Sequence, residues 1–100
     1  MIKHGLLVTL KAKRGKESEV ESFIKGAVAL ALEEPGTHSW YAVKLDAGTF
    51  GVFDTFPDDK ARQKHLNGPI AEALMAKAPE LLSEAPKIEP LDILSAKTGI

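Results

Sequence analysis

The fold is decided at residues 33–41, which read Glu-Glu-Pro-Gly-Thr-His-Ser-Trp-Tyr. Pro35 removes a backbone donor and Gly36 permits a positive φ, so a helix that reaches this point from the N-terminal side must end. The aromatic pair Trp40-Tyr41 then opens a segment with the composition of a strand. The stretch predicts a junction from helix to strand, and the remaining elements follow on either side of it.

Before this junction the chain predicts one strand and one helix. Apolar residues alternate from Ile2 to Ala12, and only His4 interrupts the face that they share. Gly15 breaks the alternation. From Glu17 onward the apolar residues recur at three- and four-residue spacing, which is typical of a helix, and acidic residues occupy its first turns as the macrodipole favours.

After the junction the chain predicts a β-hairpin. Residues 38–45 and 49–56 are rich in aromatic and β-branched side chains, which favour strands. Asp46, Ala47 and Gly48 form a short connection in which the glycine is available for the left-handed conformation.

Two helical segments follow the hairpin. Residues 57–59 supply turn and N-cap chemistry for a short helix that runs through Leu66. Pro69 starts helical spacing again, because proline is well suited to the first position of a helix. We expect Pro79 and Pro86 to bound an irregular region after this helix.

A last strand completes the predicted order. Residues 87–95 have strand composition, and Pro90 requires that this strand be an edge strand or contain a bulge. Strand, helix, strand, strand, helix, strand is the ferredoxin-like α+β arrangement, written βαββαβ, in which a four-stranded antiparallel sheet carries its helices on one face. We expect residues 1–100 to form a single domain.

Composition excludes several classes of function. The net charge of −1 gives no electrostatic reason to expect nucleic acid or an anionic membrane as a partner. The chain has no cysteine, so disulfides, thiolate nucleophiles and thiolate metal sites are absent. No window approaches the roughly 18 apolar residues that span a bilayer. We therefore expect a cytoplasmic protein.

Both faces of the predicted sheet carry apolar residues. Trp40 and Ala42 share one face of the second strand, while Tyr41, Val43 and Leu45 share the other. Helices can cover only one face, and a contiguous exposed apolar patch usually marks an interface. We expect a homodimer in which the uncovered sheet faces of two subunits meet.

The chain resembles the antibiotic biosynthesis monooxygenase family over nearly its whole length. The resemblance rests on the acidic pair and Pro-Gly before an aromatic strand, on the strand ending Asp54-Thr55-Phe56, and on a short helix that carries Ala61-x-x-x-His65-Leu66. It implies a dimeric α/β barrel with a small-molecule pocket between the sheet and the helices of each subunit. The family includes cofactor-independent oxygenases of quinols and polyketide phenols as well as haem-degrading oxygenases.

The resemblance also implies which cofactors to expect. The positions at which haem-degrading relatives use Asn, Trp and His are occupied here by Val8, Phe56 and, in the second helical region, by about Met75. None of them matches, so we expect no haem. The three histidines lie on different elements without a two-histidine spacing suited to a metal, so we expect no metal either.

The candidate catalytic residues are His65 and Asp54. His65 lies one turn after Ala61, where it could accept a phenolic proton or, alternatively, serve packing and bind a backbone carbonyl or Asp54. An acid on the inner face of a strand must be paired or solvated, so Asp54 either binds Arg62, His65 or another base, or it faces a wet cavity.

The candidate pocket residues are mainly apolar. By the carried-over pattern and by strand parity, the predicted substrate-binding residues are Leu6, Val8, Trp40, Phe56 and Arg62. Aromatic side chains on a sheet face under helices either line a pocket or fill the core, and both readings stay open for Trp40 and Phe56.

The resemblance, carried over to these residues, implies a monooxygenase without a prosthetic group, acting on a small phenolic or quinol-like substrate. The alternative is a non-catalytic small-ligand-binding or stress-related dimeric module with the same pocket. A third class, RNA-binding domains with this strand order, would place an aromatic on the first strand, and residues 6–10 contain none.

Overall fold

A computed structural model of the chain describes residues 2–99, which form a single four-stranded antiparallel sheet with helices on one face. The elements in chain order are β1 (His4–Lys11), α1 (Glu17–Gly26), α2 (Val28–Leu32), β2 (Ser39–Asp46), β3 (Thr49–Phe56), α3 (Asp59–Leu66), α4 (Pro69–Leu81) and β4 (Lys87–Asp92). The strand order is β2-β3-β1-β4, with every neighbouring pair antiparallel. The predicted ferredoxin-like fold is confirmed.

Most predicted boundaries agree with the structure to within about two residues, and three differ by more. The helix before the junction is divided, because α1 ends at Gly26 and α2 begins at Val28. Glycine and a β-branched residue both have low helix propensity, which explains a break at this point. Pro79 lies inside α4, so the irregular region starts after Leu81 and not at Pro79.

The last strand is shorter than predicted because its partner strand ends. β4 pairs with β1 from Lys87 opposite Thr9 to Asp92 opposite His4, and β1 begins at His4. Pro90 lies in this strand at the edge of the sheet, as expected from its missing N–H.

The core lies between the inner sheet face and the helices. The inner face of β1 and β3 contributes four nearly or fully buried residues, Leu6, Leu10, Phe50 and Phe56. Val20 and Ile24 of α1 and Leu81 of α4 pack against this face and close the core from the helical side. The predicted inward parity of β1 is therefore correct.

The other sheet face has no helices over it. Tyr41, Val43 and Leu45 are 57%, 41% and 63% exposed there. Within residues 2–99 no helix combines the length and apolar composition needed to cross a membrane. The cytoplasmic location stays a prediction.

Candidate functional site

A buried carboxylate lies at the centre of the sheet. Asp54 is on the inner face of β3, directly opposite Leu6 of β1 and Trp40 of β2, and it is 0% exposed. Neither of its oxygens accepts a well-aligned hydrogen bond from a described residue. A buried carboxylate in this position requires a positive neighbour.

His65 supplies that neighbour. The side chain of Asp58 caps α3 by accepting a hydrogen bond from the Ala61 N–H at 2.8 Å, so the helix starts directly after β3 and aims His65 at the sheet. His65 Nε2 lies 2.9 Å from Asp54 Oδ2, and its ring lies against Phe56 with 5.2 Å between centroids. The Nε2 contact is short but poorly aligned, so it acts mainly through charge.

Glu34 holds the other side of the same imidazole. It follows α2 within the Glu-Glu-Pro-Gly junction, and its Oε1 lies 2.7 Å from His65 Nδ1. Thr37 Oγ1 donates a second hydrogen bond to Oε1 at 2.9 Å. The loop can approach α3 this closely because residue 36 is glycine: a Cβ there would lie 3.3 Å from the Cβ of Ala61.

The second oxygen of Glu34 is positioned differently. Within residues 2–99 no hydrogen bond engages Oε2, whereas Oε1 serves both His65 and Thr37. A Cβ on residue 68 would lie 3.3 Å from Oε2, so glycine at that position avoids crowding this oxygen, and Oε2 is not among the fully buried polar atoms without a partner. Oε2 is therefore the acceptor that an incoming hydroxyl group could use.

The two carboxylates decide the charge of His65. Burial by itself lowers the pKa of the imidazole, but the short contact and charge attraction to Asp54, together with the hydrogen bond and charge attraction to Glu34, outweigh it, so the pKa is raised above its ordinary value of 6.5. In its protonated form His65 leaves the group Glu34–His65–Asp54, hereafter the acid–histidine–acid cluster, with a net charge of one negative unit.

The cluster forms part of the wall of a cleft. This cleft has a volume of about 610 Å³ and lies between the α2–β2 loop, α3 and the start of α4. Glu34, Thr37 and His65 contribute its polar wall near the cluster, together with Gly68. The largely apolar part of the wall consists of Leu30, Pro35, Gly36, Ala61 and Pro69. Glu33, Asp58, Lys60, Lys64 and Asn67 complete the lining.

The predicted site residues fall into two groups. His65 lies on the wall of the cleft, and Asp54 lies behind it. Leu6 and Phe56 are 0% exposed, and Val8 and Trp40 pack against the core cluster, so these four fill the space between sheet and helices and are not on the cleft wall.

Arg62 makes structural contacts. Its Nη1 donates to the carbonyl oxygens of Gly5 and Leu91, both at 3.2 Å, and its Nη2 donates to Asp59 at 2.8 Å. The guanidinium ties α3 to β1 and β4. It is not the partner of Asp54, which lies against His65.

Sequence reasoning assigned no functional role to Glu34, Thr37 or Gly68. The contact between His65 and Glu34 joins residues 31 positions apart, which no local pattern reveals. The available signals were the acidic pair beside Pro-Gly and the spacing of Thr37 three residues after Glu34.

The cluster is unsuited to a metal ion. Its two carboxylates lie against opposite nitrogens of one imidazole ring, so the three side chains do not converge on a point. Among the described residues no group of three or more His, Asp or Glu side chains could hold a metal ion.

Comparison with known proteins gives relatives among solved structures. No family model matches the chain, and no curated protein matches it. A crystal structure of a protein of unknown function from Nitrosomonas europaea is 49% identical, with a TM-score of 0.96, over 100% of this chain and 97% of that one.

Two more distant structures share the fold. One, named "putative antibiotic biosynthesis monooxygenase", is from Caulobacter crescentus and matches with a TM-score of 0.78 and 24% identity, over 94% of this chain and 92% of that one. Another of the same name is from Nitrosomonas europaea and matches with a TM-score of 0.81 and 14% identity, over 92% and 99% of the two chains.

Proposed function

Because the chain belongs to one family with the Nitrosomonas europaea protein of unknown function and has the antibiotic biosynthesis monooxygenase fold, we propose that it is a monooxygenase without a prosthetic group. Its substrate is a small phenol or quinol. The observation that carries the proposal is the acid–histidine–acid cluster at the wall of a cleft of about 610 Å³.

The cluster can take up a proton at the substrate hydroxyl. Glu34 Oε2 is the accessible acceptor, and His65 donates to Oε1 of the same carboxylate. When His65 is protonated, uptake of the phenolic proton takes the cluster from one negative charge to neutral. The positive imidazolium beside the cleft also stabilises the phenolate that forms.

The phenolate then reacts with dioxygen in a balanced step. For 1-naphthol, one phenol and one O₂ give one 1,4-naphthoquinone and one water. The substrate loses its hydroxyl proton and one ring hydrogen and supplies all four electrons. One oxygen atom becomes the second quinone carbonyl and the other leaves as water, which takes up both released protons. The apolar wall around Leu30, Pro35 and Ala61 limits the access of water to the intermediate.

The first test compares two neighbouring glutamates on the cleft wall. Glu34→Gln removes the acceptor charge, whereas Glu33→Gln makes the same chemical change at an exposed residue. We expect quinone formation from 1-naphthol to fall on the order of a hundredfold in Glu34→Gln and to change less than about twofold in Glu33→Gln. Equal rates in the two variants would contradict the role of Glu34.

A non-catalytic small-ligand-binding module is the second candidate. It is favoured by the full burial of Leu6 and Phe56, which fill the interior between sheet and helices where a pocket was predicted. Such a module would bind naphthols in the cleft without forming quinone, and Glu34→Gln would then alter affinity only.

We also propose that two copies join through their uncovered sheet faces. Tyr41, Val43 and Leu45 are exposed together on β2, and large apolar side chains concentrated on one face are typical of an interface. The cleft lies on the helical side, so this dimer leaves it open.

A further inference from the structure

A second cavity adjoins the cleft. It has a volume of about 220 Å³ and lies between α1, α2 and α4. Its walls are formed by Phe23, Gly26, Ala27, Leu30, Ile70 and Ala73. We call this cavity the apolar annex, because none of its lining residues is charged or polar.

The annex and the cleft are adjacent along one line of contact in the fold. This line, hereafter the seam, runs between α2 with the loop after it and the start of α4. Leu30 belongs to the walls of both cavities, and the consecutive residues Pro69 and Ile70 line the cleft and the annex respectively. On the opposite side of the seam, Ala27 lines the annex and Glu34 lines the cleft. The two cavities are thus neighbours across Leu30, which is 38% exposed.

Polarity changes along this seam. The cleft end carries the acid–histidine–acid cluster and two lysines of α3, Lys60 and Lys64. The annex end offers only apolar walls. A ligand that matches both ends has a hydroxylated aromatic head and an apolar tail, since burial of each methylene in apolar surroundings favours binding.

We propose that the annex is a subsite for an alkyl or isoprenoid tail, and that the substrate class is therefore tailed phenols or quinols. The aromatic head occupies the cleft beside Glu34 and His65, and the tail passes Leu30 to reach Phe23 and Ala73. This assignment rests on the proposed function for the identity of the head group. The tail subsite itself is tested by binding, without turnover.

Substitutions can fill the annex without disturbing the cluster. A Cβ added at Gly26 meets no heavy atom within 4 Å, and Gly26 does not have a positive φ, so Gly26→Leu starts its side chain at the annex wall without a clash of its Cβ. Ala73→Leu narrows the annex from the α4 side. Ala29→Leu is the matched control, because Ala29 is exposed on α2 and lines neither cavity.

The probes are 2-methyl-1-naphthol and its 2-hexyl analogue, measured by equilibrium dialysis under nitrogen, so that binding is observed without turnover. In the unmodified protein we expect the hexyl compound to bind roughly several hundredfold more tightly, since each of its five additional methylenes contributes roughly threefold to fourfold when buried. In Gly26→Leu and Ala73→Leu this preference should fall at least about tenfold, while Ala29→Leu keeps it.

Several outcomes would overturn the tail subsite. They are equal affinity for the two probes in the unmodified protein, equal loss of preference in Ala29→Leu, or no binding of either probe. A changed molecular mass of Gly26→Leu would assign the seam to contact between copies and would also overturn it. A Gly26-sensitive preference without any oxygen consumption would leave the subsite standing and remove the proposed function. Turnover of 1-naphthol without that preference would remove the tail subsite and leave the proposed function standing.

Discussion

His65 joins three separate parts of the chain through one imidazole ring. Its Nε2 lies against a carboxylate of the central strand β3, and its Nδ1 lies against Glu34 at the end of α2. The His65 side chain is 9% exposed and that of Asp54 is 1% exposed. A contact so poorly solvated depends on the charge of the ring, so protonation of His65 links the stability of the fold to pH.

The raised pKa of His65 fixes the direction of this link. Below the unfolded value of 6.5 both states hold the proton and the stabilisation is complete; it is lost as pH rises through the higher folded pKa. We expect the free energy of unfolding, measured with urea at several pH values from neutral upward, to decrease with pH. His65→Gln should make this decrease smaller. The decrease that remains in the variant measures the contribution of other groups that titrate in the same pH range. An unfolding free energy that rises with pH, or an unchanged slope in His65→Gln, would contradict this.

Among the individual residues, the sequence predicted two members of the acid–histidine–acid cluster. Asp54 and His65 were found because an inward acid on a strand and a histidine one helical turn after Ala61 are local patterns. Whether Asp54 would meet Arg62 or His65 depended on how α3 docks, because both bases lie on that helix. Glu34 was missed because its role comes from the approach of a loop that Gly36 permits.

Among the elements, α3 has the greatest influence on the candidate site. It carries His65 and Ala61 on the cleft side, and Arg62 anchors it to β1 and β4. Its boundaries were predictable because Asp58 is a strong N-cap signal directly after a well-defined strand. The continuation of α4 past Pro79 was not, because tertiary packing outweighs local propensity at that point.

For the individual helices and strands, we predict the effect on stability of removing the N-cap of α3. Asp58→Ala removes the acceptor for the Ala61 N–H and should lower the free energy of unfolding by about 1 kcal/mol. Asp58→Ser retains a capping oxygen and should recover most of that loss in the same urea titration. If alanine and serine proved equally stable, the cap would not be what positions this helix.

In the molecule as a whole, the two faces of the sheet have different roles. The inner face is filled by core side chains and places the cluster at the helical side, while the outer face exposes Tyr41, Val43 and Leu45. The fold class was predictable from the order of strands and helices, and this two-faced pattern was predictable from the period-two alternation of the strands. The location of the cleft was not, because it forms between a loop and two helix ends, where no periodic pattern applies.

The proposed dimer is tested by light scattering in dilute solution. We expect a mass of twice 10.8 kDa for the unmodified chain, and a monomer for Val43→Lys, because a charge at the sheet face would be buried unpaired. Leu32→Lys is the control: Leu32 is 81% exposed on the helical side, and its substitution should leave the mass unchanged. A monomeric unmodified protein, or an equal effect of the two lysines, would remove the proposed interface.

We propose above all that the cluster and cleft insert an oxygen atom into a phenol without a prosthetic group. The most direct measurement is mass spectrometry of the quinone formed from 1-naphthol under ¹⁸O₂ by protein freed of metals. We predict one ¹⁸O atom per quinone at early times, with formation that depends on Glu34. Quinone carrying only ¹⁶O, or no quinone above the rate without protein, would contradict the account.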